Sequence, residues 1–295
     1  MFARNAKPRG NPPSSPKWHK PGWRLTFHDE FDGAELDRFK WNTRYVRECA
    51  GVAAVVDDAL EVSDGMLHIR ADRETVTVEQ YSLELWAPEQ RAMRKGKATY
   101  HYTTGALDTR FGAIFAQKYG WFEMCFRTPK RPELVTAWRL YPLDVRYFRT
   151  ELHNGARTDP HEAYAIDIVE RIGRCPDDVS RNDYLAPMRF SVHHGEEPSG
   201  PKHEDESFVC PQWVGREFSE GFHVLALEWT STDLVWFIDN REVRRVMGKS
   251  PQTQMFMLVN LYVTANNASC TPVTDETPLP AFLDIDYIRV YEFAG

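Results

Sequence analysis

The stretch Tyr164-Ala165-Ile166-Asp167-Ile168-Val169-Glu170 decides how this chain is read. It is short, rich in β-branched residues and punctuated by two acids, which is the composition of a strand. Side chains alternate between faces along a regular strand, so Ala165 and Asp167 share one face. Glu170 stands three residues beyond Asp167 and would point the other way. A β-bulge at Ile168-Val169 absorbs one residue and turns Glu170 back to the face of Asp167. Two acids then line one side of a sheet. The other reading is a plain strand with ordinary acids on a solvent face, and the segment alone leaves both open.

On either side of this stretch the chain is a series of short β signals with turn chemistry between them. Leu67-His68-Ile69-Arg70-Ala71 follows Asp64-Gly65 and alternates at period two. Trp121 to Phe126 is opened by Tyr119-Gly120 and stopped at Pro129. Phe222 to Trp229 turns through Ser231-Thr232-Asp233 and returns as Leu234 to Ile238. Asp239-Asn240 makes a tight turn into Arg241 to Val246, and Leu258 to Val263 and Leu283 to Tyr291 read as two more strands. Amphipathic helix patterns are nearly absent. The expectation is an all-β fold, one large sandwich over residues 21–295, preceded by a flexible leader over residues 1–20. The longest stretch without a strand signal, Tyr141 to Ala163, reads as a long loop of the kind that carries function or is mobile.

Composition narrows the function classes. The 295 residues are 42% hydrophobic and 27% charged, which excludes wholesale disorder. No run of eighteen apolar residues exists, so no helical membrane span is expected. A net charge of -7 argues against a duplex-binding surface, which needs a clustered basic face. Nine Trp, 12 Tyr and 17 Phe fit a β-rich core, a surface that grips flat apolar faces, or both. Five scattered cysteines contain no C-x-x-C pair, and Cys125 reads as a buried thiol. Residues 1–20 lack the apolar core of a signal peptide. Gly248-Lys249-Ser250 imitates the end of a P-loop, but Val243 occupies the place of the leading glycine. His161-Glu162 has Ala165 where a zinc-binding helix needs its second His. No G-x-S-x-G elbow appears.

Taken in order, the remaining motifs resemble glycoside hydrolase family 16. Trp23 through Asp29-Glu30-Phe31-Asp32-Gly33, then Leu36-Asp37 and Lys40-Trp41, resemble the family's opening pattern. Thr104-Gly105-Ala106 with Tyr119-Gly120-Trp121-Phe122-Glu123, Ala137-Trp138, Phe222-His223-Val224 through Glu228-Trp229, and Asp286 to Tyr291 agree with later ones. The acid strand resembles the family's E-x-D-x-x-E signature with its first Glu replaced by Ala165. The resemblance implies a β-jelly roll of two curved antiparallel sheets, concanavalin-like, and endo-acting hydrolysis of a β-linked polysaccharide with retention. Retaining hydrolysis uses two carboxylates about 5–5.5 Å apart, one attacking the anomeric carbon and one serving as acid and then base. By that correspondence Ala165 stands at the nucleophile position, Asp167 between the two acids, and Glu170 at the acid/base position. A methyl group attacks nothing, so the chain as written is expected to be inactive. Deliberate substitution to trap substrate is favoured by the retained acids; a naturally noncatalytic glycan-binding protein is the alternative.

The resemblance also implies a ligand and where it lies: a β-1,3 or mixed-linkage glucan, or a red-algal galactan. Trp138 is expected as a sugar-stacking platform by family position, with Tyr141, Tyr147 and His153 near the long loop. His193 and His194 end a strand beside the acid strand, one facing the groove, and Asn260 is a further binding candidate. Arg139, Arg146, Arg149 and Arg157 read either as solvated loop residues or as recognition of a charged glycan. Trp23, Trp41, Trp229 and Trp236 are expected in the core. Glu30 and Asp286 are the two side chains expected at a structural Ca2+, with no cofactor for catalysis. The expected partner is an oligosaccharide or polysaccharide, with no nucleic acid, membrane or second subunit. A polysaccharide ligand implies secretion or a cell-surface location.

Overall fold

The computed structural model describes residues 19–43, 49–83, 92–110, 114–143, 163–171, 188–194, 203–209, 218–264 and 272–295. The strands are β1 (Trp23–Asp29), β2 (Cys49–Ala50), β3 (Ala53–Val55), β4 (Leu60–Ser63), β5 (Met66–Ala71), β6 (Val76–Leu83) and β7 (Ala92–Tyr100). They continue as β8 (Thr103–Thr104), β9 (Ala106–Asp108), β10 (Gly120–Arg127), β11 (Leu134–Pro142), β12 (Ala163–Arg171) and β13 (Met188–His194). The last are β14 (His203–Val209), β15 (His223–Trp229), β16 (Asp233–Ile238), β17 (Arg241–Met247), β18 (Met255–Val263) and β19 (Ala281–Phe293). One 3-10 turn, Asp57–Ala59, is the helical content among the described residues.

Two antiparallel sheets face each other as a β-jelly-roll sandwich. One runs β17-β16-β15-β10-β19-β5-β4, with β1 also paired to β19. The other, carrying the acid strand, runs β14-β13-β12-β11-β18-β9. Alternation explains the core between them. Phe122, Met124 and Phe126 of β10 and Leu225 and Leu227 of β15 point inward from the first sheet. Leu134, Trp138 and Leu140 of β11 and Met257, Val259 and Leu261 of β18 meet them from the second. The turn read at Asp239-Asn240 has both residues at positive φ, 50° and 64°, the twist that suits a two-residue hairpin. Gly120 opens β10 at φ +129, and a Cβ there would fall 2.2 Å from the Tyr291 carbonyl oxygen, so only glycine fits.

Trp41, Trp229 and Trp236 lie in the core as expected, but Trp23 does not. It is half-buried on the outer face of the first sheet, packed with Trp121. Lys20 packs there, its Nζ 3.6 Å from the centre of the Trp121 ring; residues 1–18 lie outside the described residues. Cys125 is buried and free. The stretch read as a long loop begins in a strand, since β11 runs to Pro142; residues 144–162, with Tyr147, His153, Arg146, Arg149 and Arg157, lie outside the described residues.

Candidate active site

The bulge is where the sequence spacing puts it. Along β11, Trp138 pairs with Val169 and Arg139 pairs with Asp167, which leaves Ile168 as the extra residue of β12. The pairing of β12 with β13 slips in the same place, between Asp167 and Glu170. Ile168 and Val169 therefore both point into the core, with Ile166. Asp167 and Glu170 both point the other way, because one side chain touches both of them. Trp236 from the facing sheet crosses the core to donate its indole N–H to the Asp167 carbonyl at 3.2 Å, pinning the backbone beside the bulge. Ala165, two residues before Asp167 in regular pairing, is buried at 3% exposure and lies outside the hydrophobic cluster.

The side chain that joins the acids is Arg139. Its Nε donates to Asp167 at 2.8 Å, one terminal nitrogen donates to Glu170, and the other donates to the Tyr262 hydroxyl at 2.9 Å. Glu170 pairs with Ala137 and Tyr262 with Val135, so the arginine runs back along β11 above Ala137. A small residue at 137 makes room for it. The guanidinium also lies over the Tyr262 ring, 5.3 Å from its centre. Arg139 is thus no loop residue and no open anion receptor. It sits in a strand, 8% exposed, with its fork directed at two carboxylates.

Trp138 requires a correction of the same origin. It lies between Ala137 and Arg139 on β11, so alternation turns it away from the acids. It belongs to the sandwich core, on the side of the sheet opposite the acids. Asn260 fares differently. It pairs with Ala137, which pairs with Glu170, so the three stand in one row on the acid-bearing face. Asn260 is 0% exposed, and neither its amide nitrogen nor its oxygen has a hydrogen-bond partner among the described residues. Tyr141, at the end of β11 on the same face, is half-buried and its ring stacks on Phe256 at 5.9 Å. His193 is the register partner of Ala165 and His194 of Ala163; their side chains lie outside the described residues. Tyr262 was not anticipated. Its signal was present: it stands two residues past Asn260, hence on the same face.

The Glu30 and Asp286 pair does not suit a Ca2+. Both Glu30 oxygens are engaged by Arg289, Nε to Oε1 at 2.8 Å and a terminal nitrogen to Oε2 at 2.7 Å. Among the described residues no group of three or more His, Cys, Asp or Glu could hold a metal ion. A carboxylate already neutralised by a bidentate arginine is a poor hard-cation ligand.

The fold is a β-sandwich with a bulged acid strand on one sheet, and comparison with known proteins says which family has it. Residues 65–288 match the model of glycosyl hydrolases family 16, and the chain belongs to that family. It is 30% identical over 206 residues to the endo-1,3-1,4-beta-glycanase ExsH of Rhizobium meliloti, a match covering 70% of this chain and 37% of that protein. The chain spans little more than a third of the length of the curated relatives it matches first. Among solved structures it resembles the laminarinase catalytic domain of Thermotoga maritima, with TM-score 0.65, 21% identity, and coverage of 92% and 99% of the two chains. An endo-acting O-glycanase structure from the human gut microbiota superposes with TM-score 0.70 at 18% identity, covering 95% and 94%.

Proposed function

We propose that this chain has the architecture of an endo-acting β-glycan hydrolase and that, as written, it binds a β-linked glycan along the acid-bearing face without cleaving it. The observation that carries the reading is the bulge, which puts Asp167 and Glu170 on one face with Ala165 two residues earlier on that face. A carboxylate at 165 would complete the two-carboxylate arrangement of a retaining glycosidase, with Glu170 as acid/base. Alanine leaves the first half of that reaction without an atom to form the bond to the anomeric carbon. Asn260, buried with both amide atoms unpartnered among the described residues, supports a polar ligand on this face. Sugar hydroxyls donate and accept, which suits an amide.

The relatives nearest 30% identity are named endo-1,3-1,4-beta-glycanases, so mixed-linkage and β-1,3-glucan oligosaccharides are the first ligands to test. A relative at 24% identity is named Beta-porphyranase B, which keeps galactans in the panel. Calorimetry on the unaltered chain is expected to show oligosaccharide binding with no release of reducing ends. Ala165→Glu is expected to hydrolyse an activated aryl β-glycoside of the bound sugar, with the first product retaining its anomeric configuration by NMR. An inverted first product, or no binding of any glycan in the panel, would sink this reading.

A further inference from the structure

We propose that Arg139 is a positioning residue that holds Glu170 as the carboxylate, so that hydrolysis of an unactivated glycan is disabled at two positions and not at Ala165 alone. This rests on the functional reading above and concerns the same site. In a retaining reaction the nucleophile's oxygen bonds to the anomeric carbon while the bond to the leaving sugar breaks, and that sugar's oxygen takes a proton from the acid. In the second step water gives its proton to the same group, now a carboxylate, and its oxygen displaces the nucleophile. The first step needs Glu170 protonated; the second needs it ionised.

The groups around Glu170 favour one of these forms. On β11, the Arg139 guanidinium donates to Glu170 and, through its Nε, to Asp167 at 2.8 Å. On β13, a second arginine, Arg189, stands at the register position of Glu170, and Ser191 at that of Asp167. On β18, Asn260 occupies the same row and the Tyr262 hydroxyl oxygen accepts from Arg139 at 2.9 Å. Asp167 is the neighbouring carboxylate, and Arg139 binds it too; Glu206 of β14 stands one strand further out, at the register position of Ser191. A guanidinium within hydrogen-bond distance lowers the energy of a carboxylate and not of a carboxylic acid, which has one acceptor fewer and no charge. Arg139 cannot itself give up a proton to Glu170. The fork that ties the acids together therefore equips the face for binding and for base chemistry, and withholds the proton a departing sugar requires.

The test separates leaving groups. In the Ala165→Glu protein, kcat/KM is measured on barley mixed-linkage glucan and laminarin, whose leaving sugars need protonation, and on 2,4-dinitrophenyl β-cellobioside and β-laminaribioside, whose leaving group does not. Adding Arg139→Gln is expected to raise activity on the polysaccharides at least tenfold and to leave the aryl glycosides within about threefold. A purely structural role moves both substrate types by the same factor, and that result, or a fall on the polysaccharides alone, overturns the proposal. Thermal melts report whether Arg139→Gln folds. If it does not, the unaltered chain carries the test: coupling of an α-glycosyl fluoride to an acceptor sugar breaks the C–F bond, forms the β-glycosidic bond and sends the acceptor's proton to Glu170. A rate flat from about pH 8 to about pH 5 supports a committed base, and a rate falling below about pH 7, or no coupling, overturns it. Failure of Ala165→Glu on the aryl glycosides marks instead the failure of the functional reading itself.

Discussion

Two arginines, one on each sheet, are each wedged between carboxylates and a tyrosine, and they differ in where the acids come from. On the outer face of the first sheet Arg289 takes both oxygens of Glu30, lies 3.7 Å from Glu123, and stacks on Tyr287 with 3.6 Å from its guanidinium carbon to the ring centre. Those acids belong to separate segments, one just past β1 and one on β10, so the cluster ties the opening strand of the fold to its closing strand. The neighbouring Trp121 gives its indole N–H to Glu123 at 2.8 Å. On the second sheet both acids of Arg139 come from one strand, and they meet only because a bulge interrupts the ladder. Asn260 beside them keeps its amide unsatisfied among the described residues. Giving up regular pairing and burying an unpartnered amide does nothing for folding. The outer cluster is built as a tie between strands; the inner one is where the proposed glycan would lie.

The largest effects should divide the two clusters by chemistry. With an α-glycosyl fluoride donor, Glu170→Gln is expected to lower coupling by the roughly 10²- to 10⁴-fold attributable to a general base. Glu123→Gln on the outer face is expected to leave the rate within about twofold. Equal losses from the two variants would erase the distinction. Stability is the next measure. Arg139→Met strands two carboxylates, one of them Asp167 with a side chain only 2% exposed, and is expected to cost about 3–5 kcal/mol in urea melts. Arg289→Met strands Glu30, whose side chain is 18% exposed and reaches water, so about 1–3 kcal/mol is expected. The reverse order would make the inner arginine the lesser stabiliser and undercut its role as a clamp.

Why some of this was legible and some was not follows from strand parity. The odd spacing of Asp167 and Glu170 demanded a bulge in any strand that used both acids, and the structure has it at Ile168. The hairpin at Asp239-Asn240 and the strands flanking it were written in turn chemistry and alternation. Family position points Trp138 at the sugar, but alternation governs: Leu134, Thr136, Trp138 and Leu140 form one face, while Ala137 and Arg139 belong to the other. The strand signal fades near Arg139 and suggests a loop there, whereas β11 continues to Pro142. No local pattern says that a buried arginine will find two acids on the next strand, because that contact depends on register. The Glu30 assignment failed for the same reason, since its partner Arg289 is 259 residues away.

Asn260 sharpens the comparison with a smaller effect of opposite sign in two measurements. Asn260→Ala removes a buried amide whose donor and acceptor are unmet among the described residues, so folding stability is expected to hold or rise slightly. The same change is expected to weaken oligosaccharide binding by about 1–3 kcal/mol, read by calorimetry, because hydrogen bonds to sugar hydroxyls are lost. A stability loss with unchanged affinity would move Asn260 from the ligand face to the fold's own hydrogen-bond network.

The smallest expected effect belongs to a second ionic cluster on the outer face, and it tests whether that face answers to pH through stability alone. Asp284 receives His68 at 2.7 Å on one oxygen and Arg127 at 3.0 and 2.6 Å on the other. The hydrogen bond to Asp284 holds the His68 imidazole above its ordinary value against the pull of burial. Burial pushes the Asp284 carboxyl up, but the bonds from His68 and Arg127 outweigh it and hold the group below its ordinary value. His68 therefore stabilises the fold fully below its unfolded value near pH 6.5, and that contribution fades as pH rises through the higher folded value. Asp284 contributes fully above its unfolded value near pH 3.9 and fades as pH falls through the lower folded one. Both act together between about pH 4 and about pH 6.5. The partly exposed pair is worth at most about 1 kcal/mol. The stability difference between the unaltered chain and His68→Gln, from urea melts at intervals between pH 5 and pH 9, is expected to be largest at the acid end and to shrink steadily toward pH 9. A difference that grows with pH would mean that His68 is bound as the neutral ring. Oligosaccharide affinity measured alongside is expected to be the same in the two proteins at each pH, because this cluster and the acid strand lie on opposite sides of the core.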